Sequence, residues 1–296
     1  MKIWKKFKAL IITALIVLVL LTSGMIIKNV FLKRVEERIQ SAFNFSEMKL
    51  SLFPPSLVME DARSLSASPF FSAKRIIIKI SYRSLLSRSK PFNVTIEEPI
   101  VRIYETISTG SVTSPDSTGI LPFSVERGLI KGGEIYYWGD NFSFQTKNVN
   151  ALFVLKNNFY ALQAESQENI FSSGNHYRQN MGSLQLILEG TNQEIEIQRI
   201  RINGPDVFVR GEGKLKNLKD PEFQLDTTFT FNTDQIAELL DLPFDWEGKT
   251  SGEGVLRRQD GFLGITADFS SDSLFLNDVF MGNTSGKIMY VENSGG

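Results

Sequence analysis

Residues 9–27, ALIITALIVLVLLTSGMII, contain no charged side chain. Wound as a helix at ~1.5 Å per residue the run extends roughly 28 Å, close to the ~30 Å hydrocarbon core of a bilayer. Lys2, Lys5, Lys6 and Lys8 precede it, with Trp4 among them. Such a stretch commits one element to lipid and leaves the rest of the chain to fold on one side of it. A cleaved secretory signal is the rival reading. It needs an apolar region of about 7–15 residues ending in a small-x-small site. Here apolar residues return at Met25, Ile26 and Ile27 after Thr22, Ser23 and Gly24, so an uncleaved anchor is expected. Charge alone does not fix its orientation, because Lys28, Lys33, Arg34 and Arg38 follow within the distance that counts. The short lysine-rich tail favours an N-terminus inside.

The remainder is large enough for a substantial core: the chain has 296 residues, 42% hydrophobic and 22% charged. Its 23 Phe, among many Ile and Val, favour strands over helices. A formal net charge of -1 gives no electrostatic case for nucleic acid. With no cysteine, neither a disulfide framework nor a thiolate metal site can form.

Residues 29–43 predict a helix, with Phe31, Val35, Ile39, Ala42 and Phe43 on one face. Pro54-Pro55 then punctuates two short strands, 47–53 and 57–63. Residues 74–82, KRIIIKISY, predict a strand with Ile76, Ile78, Ile80 and Tyr82 on one face and Arg75, Ile77, Lys79 and Ser81 on the other. Residues 84–87 predict a turn of helix. Residues 92–97 alternate strictly, Glu98-Pro99 breaks the pattern, and 100–104 resumes it. Residues 106–119, rich in Ser, Thr and Gly, predict a loop and the best internal boundary. Beyond it 128–138 resembles a hairpin entry, and strands are expected at 142–146 and 151–155. A polar loop is expected at 167–182, and strands recur at 184–189, 194–202, 207–215, 223–231, 252–257, 263–269, 274–280 and 287–291. One helix capped by Thr233, with Asp234 in its first turn, interrupts them.

A weak internal repeat runs through the second half. Gly211-Glu212-Gly213-Lys214-Leu215 returns as Gly252-Glu253-Gly254-Val255-Leu256, and Thr250-Ser251-Gly252 returns as Thr284-Ser285-Gly286. Self-similarity of this kind points to a repetitive, elongated sheet. Convergent chemistry is missing. A Ser-His-Asp set would need His176, the only histidine, which lies in a polar run without a nucleophile-elbow pattern. Gly211-Glu212-Gly213 lacks the third glycine of a dinucleotide loop, so a turn or bulge is expected there. Carboxylates are scattered without ligand spacing. No enzyme, cofactor or metal is expected.

The order of these motifs resembles the AsmA-like family of bridge-like lipid transporters (AsmA/TamB type). The likeness rests on the apolar N-terminal run and following helix, then LSLFPPSLVMEDA (50–62). It continues through PFFSAKRI (69–76), Ser84-Leu85-Leu86, Glu98-Pro99-Ile100-Val101, GLIKGGEI (128–135) and the segment 211–290. It covers nearly the whole chain, although each motif is degenerate. Many relatives are far longer, leaving open a short member or the first part of a longer or split protein. The resemblance implies a mainly β fold with an N-terminal transmembrane helix, its sheet curled into an elongated apolar trough with a few short helices. It implies a tail and anchor at 1–28, a chorein-like helix and strands at 29–105, the loop at 106–119 and a repetitive β-groove at 120–296. It also implies single-pass placement in the inner membrane with the C-terminal domain in the periplasm. Phospholipids and the inner membrane are the implied partners, with outer-membrane or envelope proteins completing the conduit.

Strands with one aliphatic face would line such a groove. The candidates are Ile76, Ile78, Ile80, Phe92, Val94, Ile96, Val101, Ile103, Leu184, Leu186, Leu188, Phe223, Leu225, Phe229, Phe231, Leu263, Ile265, Ala267 and Phe269. Alternation looks the same when the face is a closed core. The alternative is therefore a membrane-anchored β-rich scaffold for envelope assembly, with a dry core and no lipid conduit.

Overall fold

The computed structural model describes residues 43–52, 55–65, 70–80, 92–104, 125–139, 142–156, 158–173, 177–191, 193–217, 222–234, 245–259 and 262–293. These residues are almost all strand and form one open, curled sheet. In chain order its strands are β1 (Phe43–Asn44), β2 (Glu47–Leu52), β3 (Pro55–Ser64), β4 (Phe70–Ile80), β5 (Phe92–Tyr104), β6 (Val125–Trp138), β7 (Phe142–Lys156) and β8 (Phe159–Ser173). They continue as β9 (Tyr177–Thr191), β10 (Glu194–Asn203), β11 (Val207–Lys216), β12 (Glu222–Asn232), β13 (Trp246–Glu247), β14 (Lys249–Gln259), β15 (Phe262–Leu276) and β16 (Val279–Asn293).

Apart from the short strands β1, β2 and β13, each strand pairs with the next in sequence, so the sheet is a meander. Its first and thirteenth strands are fragments. β1 and β2 lie end to end along β3 as one strand interrupted at Phe45 and Ser46, and β13 and β14 lie end to end along β15 as one strand interrupted at Gly248. All pairings are antiparallel except β5 with β6, which is parallel and so requires a crossover. The connection holds the expected loop 106–119, and the strands on either side of it pair directly. The expected anchor at 9–27, the helix over 29–42, the turn at 84–87 and His176 lie outside the described residues. Phe43 begins a strand rather than ending the helix. Thr233 and Asp234 are helical, and the rest of that predicted helix is outside the described residues. Among the described residues no helix is long and apolar enough to cross a membrane.

A crease crosses the first half of the sheet. In a regular strand the residues facing one side recur every second position. Here buried positions jump by three: Met59 to Ala62 on β3, Ala73 to Ile76 on β4, Thr146 to Val149 on β7, and Ser166 to Asn169 on β8. The register sets these jumps side by side. At the jump the backbone turns left-handed at Asp61, Glu98 and Asn148 (φ 51°, 50° and 53°) and at Gly132 and Gly182 (φ 63° and 64°). Such a residue lets two successive side chains leave on the same side and bends the strand. The doublets turned outward are Glu60-Asp61, Lys74-Arg75, Glu97-Glu98, Lys147-Asn148 and Gln167-Glu168, so the back of the crease is charged.

The crease corrects several expectations. Glu98-Pro99 does not end a strand; β5 runs through it. Residues 128–138 are not a hairpin entry but part of β6, kinked at Gly132, and the expected strands at 142–146 and 151–155 are the two halves of β7. Residues 167–182, expected as a loop, belong mostly to β8 and β9. Residues 274–280, expected as a strand, form the hairpin between β15 and β16, with Asn277 and Asp278 at positive φ. Gly211-Glu212-Gly213 lies in unbroken register with β12; the irregularity is opposite it, in β10 between Ile197 and Ile200.

Candidate functional site

Cross-strand partners project from the same face of a sheet, so the register allows one face to be followed from strand to strand. Ile78 pairs with Leu57 and Val94, and Ile76 with Met59 and Ile96. Across the crease Phe71 pairs with Val101, and Ile103 follows on the same side. The face passes through Ile130 and Ile135 of β6, then Phe153, Ala151 and Phe144 of β7, to Leu162 and Ala164 of β8. It reaches β9 at Leu184, Leu186 and Leu188. Ile200 and Ile202 carry it through β10 to Gly211 and Val209, which pair with Thr227 and Phe229. Gly252, Gly254 and Leu256 of β14 then meet Phe269, Ala267 and Ile265 of β15. Phe223, Phe231 and Leu263 fall on the same rows. All the candidate positions therefore share one face of one sheet. Phe92 pairs with Ile80, whose place is given by its backbone alone.

Burial divides that face. Ile76, Ile78 and Val94 are 6%, 2% and 4% exposed and belong to a packed cluster with Leu57, Met59 and Ala73; Phe92 and Ile96 pack against it. These first strands bury a closed core. From β9 onward the large apolar side chains are mostly half-buried, among them Leu184, Leu186, Leu188, Phe223, Leu225, Phe229 and Phe231. Ile265 is 36% exposed and Ala267 is buried.

Glycines keep the face shallow at three places. Phe153 lies over Gly128, Phe229 over Gly252 and Phe269 over Gly286, each the register partner of the glycine beneath. A Cβ on Gly252 would come within 2.7 Å of the Phe229 ring, and one on Gly286 within 2.8 Å of the Phe269 ring. The recurring Gly-Glu-Gly triplets put their glycines on the apolar face and Glu212 and Glu253 on the other, which explains the sequence repeat.

The opposite face is mainly polar and carries most of the charges. Arg75 bridges Glu60 at 3.0 Å and Glu97 at 3.4 Å, and hydrogen bonding to Glu60 raises its pKa. Lys214 holds Glu194 at 3.0 Å; their hydrogen bond lowers the Glu194 pKa and raises that of Lys214. All these pairs are solvent-exposed to a degree that makes each worth little. A hollow of about 710 Å³ opens on this side among Glu196, Lys214, Gln224 and Arg257. Its mixed charge suits no acyl chain. Ile77 lies on this face too, paired with Val58 and Thr95.

Sequence reasoning missed a polar inclusion in the apolar face. Thr146, Ser166, Asn169 and Gln179 are all buried there. Ser166 Oγ donates to Asn169 Oδ1 at 2.8 Å, and Asn169 Nδ2 donates to the Gly182 carbonyl at 2.7 Å, tying β8 to β9 at the crease. The Thr146 hydroxyl is buried without a hydrogen-bond partner. Nothing in the alternation marked these residues, three of which fall in or beside the stretch expected as a loop. Among the described residues no group of three or more His, Asp or Glu could hold a metal ion. A scan against protein-family models and a search of curated proteins find no match to this chain.

Proposed function

We propose that this chain is an inner-membrane-anchored periplasmic protein that binds phospholipid acyl chains along its apolar face and conducts them toward the outer membrane. The observation that carries the reading is the row-to-row continuity of one apolar face from β9 to β15, on which half-buried large side chains alternate with glycines. A closed domain would cover them. Exposing an acyl chain to water costs ~0.8 kcal/mol per methylene, so roughly 12 kcal/mol for a ~16-carbon tail. A continuous apolar strip offsets that cost along the whole path while the head group stays in solvent. The uncharged residues 9–27 supply the anchor in this reading, and the periplasmic placement follows the family resemblance.

A second reading is favoured by the buried cluster around Ile78: a membrane-anchored scaffold for envelope assembly with a closed core. Native mass spectrometry of the full chain released from detergent micelles separates the two. Co-purified phospholipid, lost when Phe229 or Leu225 is changed to Asp, is the expected result. A lipid-free protein would leave the scaffold.

A further inference from the structure

The polar side of the sheet carries another hollow, built differently. Cross-strand pairing puts Trp138, Ser143, Ser172 and Arg178 in one row across β6, β7, β8 and β9, with Tyr136, Gln145 and Ile170 in the row beside it. Alternation along β6 explains the side they take: Ile135 and Tyr137 belong to the apolar face, Tyr136 and Trp138 to the other. The Tyr136 and Trp138 rings are nearly parallel, their planes 7° apart and their centroids 5.6 Å apart. Both are held from the β5 side. Tyr104, the register partner of Trp138, stacks on it at 4.7 Å. Arg102, the partner of Tyr136, sets its guanidinium 6.0 Å from that ring's centroid. Tyr136 Oη donates to Glu134 Oε2 at 2.5 Å, which fixes the ring further. On the β7 side the partner of Trp138 is only a serine, and a second serine follows on β8. The missing bulk leaves a hollow of about 250 Å³ bounded by the aromatic wall, the two serines and Arg178.

We propose that this hollow binds a single sugar ring that carries an anionic substituent, a carboxylate or a phosphate. Its volume lies below the ~300–1,000 Å³ usual for ligand sites, which leaves room for one ring. A flat aromatic wall buries the C–H face of a pyranose by apolar contact, because indole and phenol rings present a broad apolar body. Ser143, Ser172 and Gln145 supply hydroxyl and amide groups that donate to and accept from ring hydroxyls. Arg178 is the only charged side chain among those lining the hollow. It forms no ion pair among the described residues, so its planar guanidinium is open to two parallel bonds with a carboxylate or phosphate. A cation would fare badly here, although aromatic faces attract ammonium groups. Arg102 already lies over Tyr136 from behind, Arg178 stands in front, and no carboxylate lines the space. The site is thus unsuited to an ammonium head group, and it lies on the side of the sheet away from the acyl path.

Saturation-transfer NMR on the full-length protein, in a detergent without a sugar head group, tests the site. The probes are methyl glucuronide, glucose phosphate and, as the neutral control, methyl glucoside. At least one charged probe is expected to bind about tenfold more tightly than the glucoside, as a charge-assisted bond to Arg178 requires, and the tighter of the two tells carboxylate from phosphate. Ring C–H protons should receive most of the saturation. Arg178→Gln should bring the charged probes down to the level of the glucoside, and Trp138→Ala should weaken all three. Ser143→Phe fills the hollow and should abolish binding. These positions lie at the surface, so the melting temperature should stay close to that of the wild type, and phospholipid content should not change. No transfer to any probe, a glucoside that binds as tightly as the charged sugars, or binding that survives Ser143→Phe would each overturn the proposal.

Discussion

Lys74 Nζ sits 2.6 Å from Glu98 Oε1 across the outer side of the crease, and Glu98 makes that contact with its own backbone at φ 50°. The hydrogen bond to Glu98 raises the Lys74 pKa, yet both side chains are well exposed, about 60% each. Left-handed backbone costs a side-chain-bearing residue roughly 1–2 kcal/mol, whereas an ion pair this exposed is screened by solvent and returns little. The backbone term is the larger. Glu98→Gly is therefore expected to match or exceed the wild type in stability, and Glu98→Val to lose about 1–2 kcal/mol. Urea denaturation of the two variants decides it: equal losses would show that the ion pair, not the backbone, governs the position.

Ile78→Asp and Leu225→Asp should part company. Ile78 is 2% exposed within the packed cluster, so a carboxylate there is buried without a partner and costs about 3–5 kcal/mol. Leu225 is half-buried on the open part of the same face, and its replacement can reach water. The first variant should unfold the early strands; the second should keep its circular dichroism and lose bound lipid. Equal melting temperatures for the two would contradict the division between core and open face.

A photo-crosslinking residue at Phe229 or Ile265 is expected to capture phospholipid in cells, and one at Thr230 or Thr266 is not. Each pair consists of chain neighbours on opposite faces of β12 or β15, so the contrast reports the face rather than the region. Ile78, enclosed in the cluster, should give little adduct. Lipid adducts of equal yield at Thr230 and Phe229 would remove the proposed path.

Two glycines of the apolar face should respond differently to a methyl group. At Gly128 a Cβ would meet the far end of the Phe153 ring, which can rotate aside. At Gly213 it would meet the backbone carbonyl of Gln224, which cannot move without shifting β12. Gly213→Ala is expected to cost about 1–3 kcal/mol as an overpacking change, with Gly128→Ala below that range. Thermal unfolding of both variants measures the order, and a reversed order would refute it.

Much of the sheet was legible because the apolar face recurs with period two. Phe223, Leu225, Phe229 and Phe231 were assigned to one side of a strand from sequence, and the register puts them there. Val101 and Ile103 fall on that same face for a reason the alternation hides: Glu98 shifts it by one, so both halves of β5 face the same way. That shift is what divided β5 and β7 into fragments on paper. A break in period two looks like the end of a strand unless the polar doublets at Lys74-Arg75, Glu97-Glu98 and Gln167-Glu168 are recognised as outward turns within continuous strands. The polar inclusion at Asn169 left no periodic trace, because its hydrogen bonds run across the shifted alternation of β8 to Ser166 and over to Gly182 on β9. Nor could alternation distinguish the closed surroundings of Ile78 from the open ones of Leu225, since burial depends on what lies above the sheet and not on the strand itself.

The meander has a mechanical consequence. The main contacts of each strand are with its immediate neighbours in the sheet, so the fold approximates a one-dimensional array whose stability is a sum of nearest-neighbour terms. Such an array has a modular length: removing the antiparallel hairpin of β11 and β12 would bring β10 against β14 with strand direction preserved, shortening the sheet without inverting it. Under tension applied at Phe43 and Asn293 the strands should peel away singly from either end, giving a ladder of small force steps where a closed globule would yield in one.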